Sequence, residues 1–136
     1  MKSLVIYYSY SGHTKKLAEA FAASKDADVV EMKDVKRPGI LAAYLKGCFA
    51  AMKGKAWAIQ PLKIDLLAYD DIVLYSPVWA GNPPPAVNAF LEILPSGRSV
   101  TVRMVSGSGT SKCRERIEAA VQMKVSKLAE FEDVKA

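Results

Sequence analysis

Short apolar runs alternate with helical patterns along the whole of this 136-residue chain. The runs predict strands at residues 4–8, 27–32, 72–75 and 99–105, and the tail at 124–136 is predicted to add a fifth strand at a sheet edge. Apolar residues at helical spacing predict four helices, near residues 14–23, 38–52, 84–94 and 112–123. Strict alternation is typical of a three-layer α/β/α fold with an open parallel sheet, expected here as one domain over residues 1–136.

The second helix is predicted to begin at Pro38, whose fixed φ suits a helix start, and to end at Gly54. Its apolar residues share one face, as an amphipathic helix requires: Leu41, Leu45, Cys48, Phe49 and Met52.

The bulk composition is that of a globular protein, with 51% hydrophobic and 24% charged residues. The chain contains no long apolar segment, so neither a signal peptide nor a membrane span is expected, and a cytoplasmic location is predicted. Cys48 and Cys113 lack metal-site spacing and are expected to be free thiols. The net charge of +5 comes from basic residues scattered among acidic ones, so nucleic acid is not expected as a partner. A membrane partner is not expected without a long apolar segment, and no metal is expected without a cluster of ligand residues.

A hydroxyl-rich turn, Ser9-Tyr10-Ser11-Gly12-His13-Thr14, joins the first strand to the first helix. The free N–H groups and the dipole of a helix N-terminus favour an anion, and Gly12 lets the backbone come close to it. Ser9, Ser11 and Thr14 would add O–H donors, and the turn has no lysine, so a terminal phosphomonoester fits best. An ordinary capped turn is the alternative.

Other phosphate-binding α/β families require residues that this chain lacks at its strand ends. A response-regulator receiver needs an aspartate after the third strand, where Ser76-Pro77 stands. A dinucleotide-binding domain needs its glycine fingerprint after the first strand, but Gly107-Ser108-Gly109 follows the fourth. The P-loop pattern is absent as well.

Two loops resemble those of the flavodoxin family. Residues 9–14 match its [ST]-x-[ST]-G-x-T phosphate loop, and residues 76–85, Ser-Pro-Val-Trp-Ala-Gly-Asn-Pro-Pro-Pro, are similar to its second flavin loop. The resemblance implies a flavodoxin-like sheet in the order 2-1-3-4-5 and FMN as the cofactor. It implies FMN contacts at Ser9, Tyr10, Ser11, Gly12, His13, Thr14, Pro77, Val78, Trp79, Ala80, Gly81, Asn82, Ser106, Gly107, Ser108 and Gly109.

The resemblance also implies a role for each loop. Trp79 would cover one face of the flavin ring, with anchoring of its own loop as the alternative. Gly81 would let a peptide carbonyl turn toward a protonated flavin nitrogen, and residues 106–111 would pass the ring edge. His13 is expected at the phosphate edge rather than as a catalytic base. No catalytic side chain is predicted, because the cofactor would carry the chemistry.

Three departures from a flavodoxin carrier bear on function. The chain is basic rather than acidic, so it would prefer acidic partners, and residues 106–111 contain no aromatic to cover the second flavin face. The usual final helix is missing, which is expected to leave an apolar patch on one sheet face. We expect a second copy to cover that patch as a homodimer, unless the chain is a truncation of a longer protein.

The leading function implied is electron transfer between FMN and a redox partner protein. The alternative is an FMN-dependent NAD(P)H:quinone-type oxidoreductase acting on a small quinone-like acceptor. A third hypothesis is that the chain is an interaction module with the same fold that binds no flavin.

Overall fold

The computed structural model describes residues 2–36 and 39–136, which build one five-stranded sheet in the order β2-β1-β3-β4-β5. Every neighbouring pair is parallel. The strands in chain order are β1 (Ser3–Tyr7), β2 (Asp28–Glu31), β3 (Asp71–Pro77), β4 (Ser99–Ser106) and β5 (Lys127–Lys135). The predicted fold class and strand order are therefore confirmed, including the edge strand in the tail.

Helices connect consecutive strands, as parallel pairing requires. They are α1 (His13–Lys25), a continuous helical segment made of α2 (Ile40–Ala42), a π-helix (Ala43–Gly47) and α3 (Cys48–Met52), then α4 (Pro85–Glu92) and α5 (Arg114–Met123). A 3-10 turn at Leu66–Ala68 precedes β3. The predicted helix start at Pro38 lies outside the described residues.

The sheet is packed on both faces. One face carries Leu4, Ile6, Ile72 and Leu74 into a large cluster with α4 and α5, where Phe90 is fully buried. The opposite face packs on α1 through a smaller cluster of Val5, Tyr7, Ala18, Ala22, Val73, Tyr75 and Val105. Full burial of each large apolar side chain stabilises the fold by about 1.5–3 kcal/mol, so the central strands supply most of the stability.

The α1 side of β4 and β5 differs from the sequence expectation. Where an apolar patch is expected, Arg103 lies over the rings of Phe21 and Tyr75, at 4.6 Å and 5.6 Å from their centroids. Its guanidinium also lies 3.7 Å from Glu130 and 3.5 Å from Glu132 on the neighbouring strand. Polar residues at alternate positions of an edge region keep that face solvated without a covering helix. The premise of the predicted dimer is thus wrong, and the homodimer itself stays a prediction.

The helical segment at 40–52 turns its large apolar side chains outward. Small residues face the body of the protein, with Ala43, Gly47, Ala50 and Ala51 buried. The large side chains are 56–82% exposed and form what we call the apolar ridge: Ile40, Leu41, Leu45, Phe49 and Met52. None of the helices within residues 2–36 and 39–136 is both long enough and apolar enough to cross a membrane.

Candidate functional site

The carboxyl ends of β1, β3 and β4 meet at one edge of the sheet, and the loops that follow them enclose two adjoining clefts. The first, of about 300 Å³, is lined by Tyr10, Ser11, His13, Thr14, Pro77, Val78, Trp79, Val105, Ser106, Gly107 and Ala136. The second, of about 510 Å³, is lined by Val78, Gly81, Ser106, Ser108, Thr110, Ser111 and Lys112. Because Val78 and Ser106 line both, the two clefts are adjacent, and we call them together the groove.

The turn before α1 is shaped by Gly12 and by the hydroxyl of Ser9. Gly12 is the N-cap residue with φ of 100°, a left-handed conformation that favours glycine. The Ser9 Oγ accepts hydrogen bonds from the N–H groups of Gly12 (3.0 Å) and Lys15 (3.3 Å). Ser9 therefore holds the turn together, whereas Ser11 is exposed and lines the first cleft.

The second loop contains a tight turn at residues 79–82. The N–H and C=O groups of Trp79 and Asn82 bond to each other at 2.9 Å in both directions. Ala80 and Gly81 between them have φ of 51° and 79°, the combination expected of a type I′ turn. Ala80 is strained there because a Cβ disfavours positive φ.

The carbonyl of Gly81 accepts hydrogen bonds from the N–H of Lys112 at 2.7 Å and from the Cys113 thiol at 3.5 Å. The carbonyl thus joins the second loop to the start of α5 in this conformation. The sequence predicts that Gly81 lets a peptide carbonyl turn toward a flavin nitrogen. The Gly81 carbonyl itself could turn that way only by giving up both of these hydrogen bonds. The role of Gly81 toward a flavin stays a prediction.

Trp79 is both a wall of the first cleft and an anchor. Its ring makes edge contacts with Tyr8 and Tyr10, each with centroids 5.9 Å apart, and its six-membered ring lies against Gly47 of the π-helix. The half-buried indole is therefore held by three neighbours while it lines the groove. These contacts agree with the anchoring interpretation of Trp79, and its predicted role over a flavin face stays a prediction.

The loop after β4 is tied to itself and to β5. Ser106 Oγ accepts from the N–H of Gly109 at 3.0 Å, and Ser111 Oγ donates to Asp133 at 2.5 Å. Cys113 follows the loop and is fully buried, and this burial raises the pKa of its thiol to about 11. The thiol is therefore protonated at neutral pH and unsuited to nucleophilic chemistry.

The groove suits an anion. Among the residues that the structure describes, no acidic side chain lines either cleft, whereas Lys112 and His13 do, together with several hydroxyls. No group of His, Cys, Asp or Glu in the described ranges could hold a metal ion.

The sequence located the groove but not its full lining. Val105, Lys112 and Ala136 line it without having been singled out from the sequence, whereas Thr110 and Ser111 belong to the stretch 106–111 that is expected to pass the flavin ring edge. Other predicted contacts lie in the same loops outside both clefts: Ser9, Gly12, Ala80, Asn82 and Gly109.

A flavodoxin-like sheet with a groove at the carboxyl ends of β1, β3 and β4 defines this protein as a flavodoxin-like flavoprotein. The model of the family NADPH-dependent FMN reductase matches residues 1–132, so the chain belongs to that family. No curated protein matched the sequence at a significant level.

Solved structures share the fold. A provisionally assigned flavoprotein from Bacteroides eggerthii DSM 20697 has a TM-score of 0.80 at 22% identity, covering 96% of this chain and 86% of its own. A flavoprotein from Lactobacillus acidophilus NCFM in complex with FMN has a TM-score of 0.73 at 23% identity, and the match covers 96% of this chain and 91% of the other. Oxidised flavodoxin 2 from Bacillus cereus has a TM-score of 0.61 at 21% identity, and the match covers 99% of this chain and 84% of the other. The family and the fold support the predicted cofactor, FMN.

Proposed function

We propose that this protein is an FMN-dependent oxidoreductase that accepts electrons from a reduced nicotinamide dinucleotide and delivers them to a small quinone-like acceptor. When bound, FMN supplies the redox chemistry. The observation that carries the proposal is the pair of adjacent clefts, whose described lining holds no acidic side chain and includes His13 and Thr14 in the first cleft and Lys112 in the second. A carrier that only hands electrons to another protein needs no second cleft beside its cofactor.

The first cleft fits the cofactor phosphate. The start of α1 offers backbone N–H groups and the positive end of a helix dipole, and Ser11, His13 and Thr14 line the cleft there. A Cβ built on Gly12 would meet no atom within 4 Å, so the turn leaves open space at its tip. Trp79, held by its tyrosine contacts, would orient the flavin ring by stacking.

The second cleft fits the dinucleotide or the acceptor. It adjoins the first at Val78 and Ser106, and among the described residues no aromatic side chain lines it. Lys112 brings its positive charge to this cleft, and its backbone N–H is fixed by the carbonyl of Gly81. A cation there would attract the phosphates of a dinucleotide.

A second candidate is electron transfer to a redox partner protein. The likeness to the Bacillus cereus flavodoxin, which extends over 99% of this chain, favours it. The net charge of +5 would then select an acidic partner.

Two measurements test the proposal. The first is a fluorescence titration with FMN, for which we expect quenching at a one-to-one ratio; absence of binding would overturn both candidate functions. The second is anaerobic addition of NADPH or NADH to the FMN-loaded protein. Rapid loss of the visible flavin absorbance supports the oxidoreductase. Absence of bleaching, with the photoreduced protein still reducing cytochrome c, overturns the oxidoreductase in favour of the carrier.

Lys112 provides a sharper version of the second measurement. Lys112→Met is expected to raise the KM for NADPH about tenfold, as loss of one charge-assisted contact would, with the FMN affinity unchanged. Lys15→Met removes the same charge from an exposed position on α1 and serves as the matched control.

A further inference from the structure

The apolar ridge coincides with the most basic part of the chain. Between residues 35 and 64 the sequence holds six Lys or Arg and no Asp or Glu, although the net charge of the whole chain is only +5. Lys36, Lys46, Lys53 and Lys55 are exposed, and the Lys53 ammonium lies 4.5 Å from the centroid of the Phe49 ring. The stretch of chain that contains the exposed apolar helix thus carries a formal charge of +6, more than the net charge of the whole chain.

We propose that the apolar ridge and its lysines bind the surface of an anionic phospholipid membrane, with the protein held peripherally. The five ridge side chains are each more than half exposed and together present on the order of 500 Å² of apolar surface, a size that marks interaction sites. A helix with large apolar side chains on its crest and lysines beside them is the type that lies in a lipid interface. The sequence predicts no membrane partner, because the chain contains no long apolar segment.

Charge decides against a second copy of this chain as the occupant. Two ridges in contact would bring two segments together that each hold six basic residues and no acidic ones. A lipid surface instead supplies the opposite charge and lets lysines extend toward the headgroups while their stems cover apolar surface.

Residue type decides between a membrane and an acidic protein. Protein interfaces are enriched in Arg, Tyr and Trp and depleted in Lys. Among the described residues between 35 and 64, the exposed cations are all lysines, spaced along the chain from Lys36 to Lys63, and the ridge projects outward instead of forming a groove. Diffuse positive charge suits a surface whose negative charge is equally diffuse.

The position of the ridge gives this docking a consequence for the proposed function. Gly47, on the inner side of the same segment, lies against Trp79 of the first cleft. A docked protein would therefore hold its groove close to the bilayer, where a lipid-soluble quinone is found. Membrane binding itself does not depend on FMN, so it succeeds or fails independently of the proposed reaction.

Vesicle co-sedimentation tests the proposal with the intact protein. We expect binding to mixed phosphatidylglycerol–phosphatidylcholine vesicles, no binding to pure phosphatidylcholine, and release by added NaCl. Leu45→Ser with Phe49→Ser should lower binding at least tenfold, whereas Leu67→Ser with Met123→Ser, at positions that are 67% and 84% exposed, should not. Lys46→Gln and Lys53→Gln should each lower binding about fivefold.

Four results would overturn the proposal. The first is no sedimentation with the anionic vesicles. The second is equal loss of binding in the ridge variant and in its control, with circular dichroism showing both folded. The third is a stable dimer by light scattering that the ridge substitutions dissolve, which would assign the ridge to a second copy. Binding to poly-L-glutamate without binding to vesicles would overturn it in favour of an acidic protein.

Discussion

Replacing Gly47 by alanine is expected to destabilise the protein, although alanine ordinarily strengthens a helix. Gly47 has right-handed helical angles, with φ of −67°, so its backbone does not require glycine. An alanine Cβ there would lie 2.5 Å from Cζ3 and 3.0 Å from Cε3 of Trp79. Carbon atoms in contact sit roughly 3.5–4.0 Å apart, so the indole would have to move by about 1 Å.

The magnitude follows from two opposed effects. Removing glycine from a helix interior gains up to about 1 kcal/mol, whereas forcing an extra methyl group into a packed contact costs about 1–3 kcal/mol. The indole cannot move freely, because Tyr8 and Tyr10 pack against it. We therefore expect a net loss of about 1–2 kcal/mol in the free energy of unfolding, or about 4 °C in Tm per kcal/mol.

The assay is urea unfolding followed by circular dichroism, together with tryptophan emission in a Trp57→Phe background that leaves Trp79 as the one tryptophan. Gly107→Ala is the control, because a Cβ there would meet no atom within 4 Å and its φ is not positive. If Gly47→Ala is as stable as the parent with unchanged Trp79 emission, the close packing of helix and indole does not exist in solution.

Three further predictions concern the groove. Gly12→Asp should abolish FMN binding in a fluorescence titration by placing a negative charge at the phosphate turn, whereas Gly97→Asp, at another open glycine of positive φ, should bind FMN as the parent does. Ala80→Gly should raise the urea midpoint by relieving its positive φ, a gain of about 1 kcal/mol; an unchanged or lower midpoint would remove the evidence for strain in the turn. At pH 8 a thiol reagent should modify Cys48 and leave Cys113 intact until the protein unfolds. Because the Cys113 pKa is raised from 9.0 to about 11 in the folded state, its contribution to stability is full below pH 9 and is lost as the pH rises to 11; rapid reaction of both thiols at pH 8 would contradict this burial.

The strands and the loops of the groove could be predicted from the sequence because their signals are local, whereas the strand order was implied by the resemblance to the flavodoxin family. The apolar runs of β1, β3 and β4 and the glycine and hydroxyl residues after β1 each constrain a few neighbouring residues. Parallel pairing then brings the loop ends together at one edge without further information. The groove residue Lys112 carried no such signal, since only the tertiary contact of its N–H with the carbonyl of Gly81 holds it at the cleft.

Only the tertiary structure shows which way the polar and apolar faces of the strands and helices point. In the sequence, Arg103 is a charged residue that interrupts an apolar strand. In the structure, Arg103 stacks on Phe21 and Tyr75 and pairs with two glutamates of β5, so it covers the α1 side of the sheet. The apolar face of the helical segment at 40–52 reads the same whether it points inward or outward. The small residues Ala43 and Gly47 lie against the body instead, and this inner face leaves the large side chains in solvent.

The sequence by itself determined the strands and helices, the parallel arrangement of the strands and the edge of the sheet where a phosphate-bearing cofactor would bind. It could do so because periodicity and turn chemistry act over a few residues. Only the tertiary structure decided that the Gly81 carbonyl is bonded to Lys112, that Trp79 is packed against Gly47, and that the apolar ridge faces outward. Each of these depends on contacts between segments distant in the chain, which no local pattern encodes.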